Sequence, residues 1–193
     1  MAKVTTQVLS TPQERAIEAS KQVALVVGAS LFVALCARVT IPLPATPVPL
    51  TVQNLGVLLV GLLLGSRRGF AAMMLYLAEG AVGLPVFSAS TVGLYGFAQL
   101  FGPTGGFLMA YPFVAFVAGY VFERGTRNFV RGAIAGLLAE ILLFVGGLSW
   151  LYVYTHSLAK AAYFGLYWFI AAEIMKVMFA AAIATRWQRG TKQ

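Results

Sequence analysis

The stretch AAYFGLYWFIAAEIMKVMFAAAIA, residues 161–184, decides both the class of this chain and where its chemistry lies. Apart from Glu173 and Lys176 it holds only apolar residues, Gly, Tyr and Trp, with Lys160 just before it and Arg186 soon after. A run of this length matches the roughly 20 apolar residues that a helix needs to cross a bilayer. The two charges do not forbid insertion. A charge at the centre of a span costs about 2.5 to 3.5 kcal/mol, and each strongly apolar residue returns about 0.3 to 0.6 kcal/mol. Glu173 and Lys176 stand three positions apart, close to one helical turn, so both project from one face and can address one object together. Ionisable groups kept at membrane depth face a partner, a cavity or a substrate.

The rest of the chain agrees with a membrane setting. Of its 193 residues 60% are hydrophobic and 10% charged, and the mean hydropathy is +0.83, which excludes an ordinary soluble domain. Apolar runs of spanning length recur, broken by Pro, Gly or Arg, and they predict six transmembrane helices at about 21–39, 51–65, 69–87, 105–122, 131–154 and 161–185. No hydrophilic stretch between them is long enough to fold alone. The expectation is therefore an all-α integral membrane protein with one membrane domain over 1–193: a polar tail at 1–20, then a six-helix bundle over about 21–186.

The net charge of +8 could point to nucleic acid, but its placement argues otherwise. Lys3, Arg15 and Lys21 precede the first helix, Arg67 and Arg68 join the second to the third, Arg124, Arg127 and Arg131 join the fourth to the fifth, and Arg186, Arg189 and Lys192 follow the last. With six alternating helices all of these fall on one side. By the positive-inside rule that side is the cytoplasm, so both termini are expected there, in a multi-pass protein of the cell membrane. The lone Cys36 reads as a small buried apolar residue and excludes an internal disulfide.

Absences narrow the chemistry. The chain has no Asp, which excludes an aspartyl protease or a phospho-aspartate pump, and no Gly-Lys-Ser or Gly-Lys-Thr, which excludes a P-loop ATPase. One His and one Cys make no transition-metal site. Ser149 and His156 lie about 10 Å apart along one helix at ~1.5 Å per residue, too far for a nucleophile and its base. No cofactor or metal is expected, and catalysis is the weaker class.

Several segments can carry function. Four prolines between Thr40 and Thr51 favour a stiff, extended loop on the external side, either a lid over a pocket or a rigid connector. Gln53 and Asn54 open the next helix and can line the same mouth or sit among headgroups. The segment from Ser88 to Gly106 is apolar enough to dip back into the membrane and carries Ser88, Ser90, Thr91, Tyr95 and Gln99. Small residues four apart, Ser20, Ala24 and Gly28, then Gly61 and Gly65, then Gly132 and Gly136, let another helix approach closely, inside the bundle or from a partner subunit. Glu79 and Glu140 are further carboxylates in apolar surroundings. They can pair with Arg38, Lys160 or Lys176, or be protonated, since desolvation raises a carboxyl pKa, and neither is given a ligand role. Glu173 and Lys176 themselves can be a ligand site or an ion pair that links helices.

Five strings in order along the membrane part carry a resemblance: Ile41-Pro42-Leu43-Pro44 through Val48-Pro49-Leu50-Thr51-Val52-Gln53, Gly80-Ala81-Val82-Gly83-Leu84-Pro85-Val86-Phe87, Gly102-Pro103-Thr104-Gly105-Gly106, Gly147-Leu148-Ser149-Trp150-Leu151, and Glu173-Ile174-Met175-Lys176. Together they resemble BioY, the biotin-specific substrate-capture subunit of energy-coupling-factor vitamin transporters. In that family the last helix carries an acidic residue followed three places later by Lys, so the resemblance implies that Glu173 and Lys176 bind biotin. Two departures stand out. Glu173 occupies a position where the family usually has Asp, after Ala171 and Ala172 instead of Pro and Gly. The segment after Phe87 reads Ser88-Ala89-Ser90-Thr91, where the family usually has a shorter Gly-rich stretch with an Asn.

The chemistry is consistent with that implication. The ureido group of biotin has one strong acceptor oxygen and two N–H donors; a carboxylate can accept from an N–H, and an ammonium can donate to the ureido oxygen or to the tail carboxylate. Phe169, Val177 and Ala180 share the Glu173 face and can wall the apolar ring, with Trp150, Tyr95 and Gln53 contributing from elsewhere. Release inward needs coupling energy. The resemblance implies a transmembrane coupling subunit, docked on the face of Ala24 and Gly28, and two cytoplasmic ATPases. The rival reading is a stand-alone secondary transporter of a small organic solute, with Glu173 or Glu140 carrying the coupled proton.

Overall fold

The computed structural model of the chain describes residues 11–190. The first helix, α1 (Pro12–Cys36), begins at Pro12, not near Lys21 as expected. Thr11 explains the early start. Its hydroxyl accepts from the Glu14 backbone N–H at 3.2 Å while the Glu14 carboxylate accepts from the Thr11 N–H at 2.8 Å, a reciprocal capping box followed by Pro at the first helical position. The expected polar tail is thus helical from Pro12 onward, and its residues 1–10 lie outside the described part, with Lys3.

After α1 the chain forms a narrow hairpin, β1 (Thr40–Ile41) antiparallel to β2 (Leu50–Thr51), with Thr40 opposite Thr51 and Ile41 opposite Leu50. The four prolines stand between or beside these short strands, where few ladder donors are lost. Two helices follow with one residue between them: α2 (Gln53–Leu64) and α3 (Ser66–Ala81). The joint is Gly65, whose φ of +86° favours Gly. Glu123 closes the joint, accepting from the Ser66 hydroxyl at 2.8 Å and from the Ser66 N–H at 3.3 Å, so a carboxylate caps the start of α3.

The third helix ends at Ala81, short of the expected Phe87, because Gly83 takes φ +94° and Pro85 follows. The chain then folds back on itself. Phe87 lies over Gly80, where any Cβ would collide with its ring, and the Tyr76 hydroxyl donates to the Val86 carbonyl at 2.9 Å. A 3-10 turn (Gly96–Phe101) completes this segment.

The second half holds α4 (Gly105–Glu123), α5 (Phe129–Thr155), the short α6 (Leu158–Ala162), a π-helical turn (Tyr163–Tyr167), and α7 (Ile170–Gly190). The last predicted span is therefore broken: its two parts meet at 42°. Three helices, α1, α4 and α5, are each long and apolar enough to cross a membrane, and the bent pair makes a fourth. At ~1.5 Å per residue α2 and α3 reach only about 18 and 24 Å, short of a ~30 Å hydrocarbon layer. The architecture is that of a mostly helical, multi-pass membrane protein.

In the bundle α4 packs on α5, α3 and α2, α7 packs on α5 and α2, and α1 rests on α3 and α2. Two of the three small-residue stripes serve this packing. A Cβ on Gly61 would sit 2.5 Å from the Ala115 carbonyl, one on Gly132 3.1 Å from the Ala181 methyl, and one on Gly136 2.8 Å from Val177. The stripe on α1 is different. Ala24 and Gly28 are exposed, and a Cβ on Gly28 would meet nothing within 4 Å.

Candidate functional site

A narrow cavity of about 50 Å³ lies where the Pro-rich hairpin, α2, α4, α5 and the broken last span converge. That is room for about four water molecules. Val48, Pro49 and Thr51 of the hairpin form one side, Phe107, Leu108 and Tyr111 of α4 another, Leu143 and Phe144 of α5 a third, and Gly165 and Phe169 the side next to the break. Its polar lining comes mainly from Gln53, Asn54 and Glu173, with Ser88 and Thr104. Apolar walls with a few convergent polar groups are the general form of a small-molecule site.

The break in the last span shapes this cavity. Gly165 in the π-helical turn lies so close to α5 that a Cβ would fall 2.5 Å from Leu151 and 3.0 Å from Leu148. The bend then carries Phe169, just before α7, and Glu173, one turn further on, to the cavity wall. The hairpin is held over it. The Thr46 hydroxyl donates to the Phe164 carbonyl at 2.6 Å and accepts from the Val48 N–H at 3.1 Å, and the Thr91 hydroxyl donates to the Pro47 carbonyl at 2.6 Å. Val48 also joins Leu151, Ala161 and Phe169 in a small apolar cluster of its own.

Glu173 is buried at 6% exposure and its two oxygens are occupied differently. Lys176 Nζ donates to Oε1 at 2.7 Å, and Asn54 Nδ2 donates to Oε2 at 2.7 Å. Asn54 Nδ2 also donates to Glu140 Oε1 at 2.6 Å, so one carboxamide links carboxylates from two helices. The cluster is not closed. Gln53 Nε2, Asn54 Oδ1 and Glu140 Oε2 are buried without a hydrogen-bond partner. Unpaired buried polar atoms cost about 1 to 3 kcal/mol each, and they are tolerated where a ligand or water completes them. Among the described residues no group of three His, Cys, Asp or Glu could hold a metal ion.

Of the residues singled out by sequence, Glu173, Gln53 and Phe169 meet at the cavity. Lys176 touches it only through Glu173; its own stem lines a separate apolar groove on the outside of the bundle, beside Val39, Leu55, Met175 and Phe179. Four residues expected as walls stand elsewhere. Tyr95 is 81% exposed in the segment between α3 and α4. Trp150 faces a lateral groove between α4 and α5; its indole donates to the Gly102 carbonyl at 2.8 Å and its ring fills the space left by Gly105 and Gly106. Val177 is spent on Gly136, and Ala180 is fully buried in the bundle core. The Glu173 face thus serves the cavity at one end and helix packing at the other.

The two extra carboxyl groups find polar neutral partners. Glu140 binds an amide and Glu79 accepts from the Ser30 hydroxyl at 3.0 Å, while Arg38 and Lys160 are exposed. What sequence reasoning missed is the linking role of Asn54 and the walls from Phe107, Tyr111, Leu143 and Phe144. A carboxylate alone in an apolar helix, as Glu140 is, was the available signal.

Comparison with known proteins fits this geometry. The sequence profile of the BioY family matches residues 6–193. The chain is 36% identical over 173 residues to the probable biotin transporter BioY of Pyrococcus horikoshii, covering 89% of this chain and 99% of that one. It is also 36% identical over 163 residues to the biotin transporter BioY of Rhizobium etli, covering 80% and 86%. The fold superposes with a TM-score of 0.78 on the crystal structure of the S-component for biotin from an ECF-type ABC transporter, over 93% of this chain and 95% of that one, at 24% identity.

Proposed function

This chain belongs to the BioY family, and from that premise we propose that it is the biotin-capturing membrane subunit of an energy-coupling-factor uptake transporter. The observation that carries the reading is the buried Glu173, aligned by Lys176 and Asn54 beside unpartnered polar atoms on the wall of an otherwise apolar cavity. A ring with two N–H groups and one carbonyl can satisfy such atoms, and its apolar sulfur ring and tail suit Phe107, Phe144 and Phe169. Lys176 supports the site by fixing and balancing the Glu173 carboxylate.

The whole chain acts as one membrane domain with six passes, α2 and α3 completing the bilayer crossing with their flanking segments, and both termini are cytoplasmic, in keeping with the clustered Arg and Lys residues. Biotin enters from the external side under the Pro-rich hairpin, which parts from Phe164 to admit it. The chain is not an enzyme and needs no cofactor. Inward release is driven by a transmembrane coupling subunit with two cytoplasmic ATPases, and the exposed Ala24 and Gly28, in a shallow apolar groove with Leu25, Phe32 and Leu63, are the docking face.

The test is direct: the purified protein is titrated with biotin by calorimetry in detergent, beside Glu173→Ala. Saturable one-to-one binding that the substitution abolishes is expected. Unchanged binding by Glu173→Ala removes the site assignment. Accumulation of biotin in liposomes that hold this protein alone, driven by a proton gradient, would favour a stand-alone transporter.

A further inference from the structure

The Asn54 carboxamide is oriented by what its nitrogen meets. A primary amide carries two hydrogens, and both are used, on Glu140 Oε1 at 2.6 Å and Glu173 Oε2 at 2.7 Å. Turning the amide over would set its oxygen against Glu173 Oε2, the carboxylate paired with Lys176, so the nitrogen faces the two acidic side chains and Oδ1 faces away. Asn54 lines the cavity, is 3% exposed, and its Oδ1 has no partner. Next to it in sequence and on the same cavity, Gln53 is 1% exposed with Nε2 unpartnered. Two neighbouring residues of the cavity wall thus carry a buried unused acceptor and a buried unused donor, the complement of one N–H and C=O edge of a cyclic urea.

Glu140 does not line the cavity. Its effect on a ligand passes through Asn54. Resting on the biotin reading above, we propose that Asn54 Oδ1 accepts a hydrogen bond from one ring N–H of the bound ureido group, and that Glu140 is the positioning residue that turns this oxygen to the ligand. Glu173 then serves the other ring N–H, so that each nitrogen is recognised by a different residue.

The test uses the full-length protein and three ligands: biotin and two analogues, each methylated on one ring nitrogen. Wild-type protein is expected to bind biotin at least tenfold more tightly than either analogue, because a site built for an N–H rejects a ligand that lacks it. In Asn54→Leu, which keeps the bulk and removes the acceptor, discrimination against one analogue falls by about tenfold or more while that against the other persists. Glu140→Gln offers a donor as well as an acceptor and leaves Glu173 alone to orient the amide; it is expected to erode the same discrimination in part and leave the other. Wild-type protein that binds biotin but accepts both analogues equally well overturns the proposal and leaves the biotin reading standing. A loss that is the same for all three ligands in Asn54→Leu and Glu140→Gln also overturns it, since a merely structural role would act so. Should Asn54→Leu not fold, the wild-type and Glu140→Gln comparisons decide. If wild-type protein does not bind biotin at all, this proposal falls together with the biotin reading.

Discussion

Replacing Glu173 by Leu should destabilise the protein more than replacing Glu173 and Lys176 together. In the single variant Lys176 keeps a charge whose partner at 2.7 Å is gone, and its side chain is 13% exposed, in an apolar groove. Breaking a buried ion pair by removing one partner costs about 3 to 5 kcal/mol, most of it from the charge left behind. The slight exposure and the flexible stem let the ammonium recover some solvation, so about 3 kcal/mol is the expected cost from this source. A further ~1 kcal/mol is expected from the Asn54 hydrogen that loses Glu173 Oε2 at 2.7 Å. In the double variant the first cost disappears and the second remains. The double-mutant cycle should therefore return a coupling energy of at least about 3 kcal/mol, measured by denaturant unfolding in detergent with Lys176→Leu, which leaves Glu173 without its cation, as the fourth corner. All three variants should lose biotin binding. Additive effects, with a coupling near zero, would refute the reasoning, because they would mean that Lys176 does not depend on Glu173 for its place in the membrane.

The hairpin and the small-residue stripes give two more expectations. Thr46→Val removes a hydroxyl that donates to the Phe164 carbonyl at 2.6 Å and accepts from Val48; with about 1 kcal/mol lost per hydrogen bond, biotin should dissociate roughly fivefold faster or more, as followed by release of labelled ligand, with little change in thermal stability. Gly28→Leu and Gly136→Leu should behave in opposite ways. The first points into open space and should keep the melting temperature and biotin binding while abolishing co-purification with the coupling subunit. The second drives a side chain into Val177 and should lower the melting temperature by several degrees.

The membrane class and the Glu173–Lys176 pair were legible because charges in an apolar run violate the composition around them. Helix ends were legible where a local device marks them, and Thr11-Pro12-Gln13-Glu14 is such a device, a capping box that places the start of α1 among polar residues. The stop at Ala81 was written in Gly83 and Pro85, two signals that hydropathy averaging runs past. The break in the last span had no comparable mark. Gly165 is one of 20 glycines, and only its contact with Leu151 and Leu148 on α5 shows why the helix unwinds there.

The same contrast explains which residues of the buried polar cluster could be read in advance. A glutamate and a lysine in lipid need each other or a cavity wherever they are, so the pair is visible without coordinates. An asparagine at the start of α2 has ordinary uses among headgroups and caps, and nothing in Asn54 itself distinguishes them. Its importance arises from Glu140 and Glu173, 86 and 119 residues away, which use both amide hydrogens at once. Helix packing makes that meeting: Gly136, one turn before Glu140, admits Val177, one turn after Glu173, and so brings α5 and α7 together beside the two carboxylates. Removing the close contact at Gly136 should therefore loosen the Asn54 amide as well as the helices, and Gly136→Ala, the mildest form of that change, should blunt discrimination between the two methylated rings before it abolishes biotin binding.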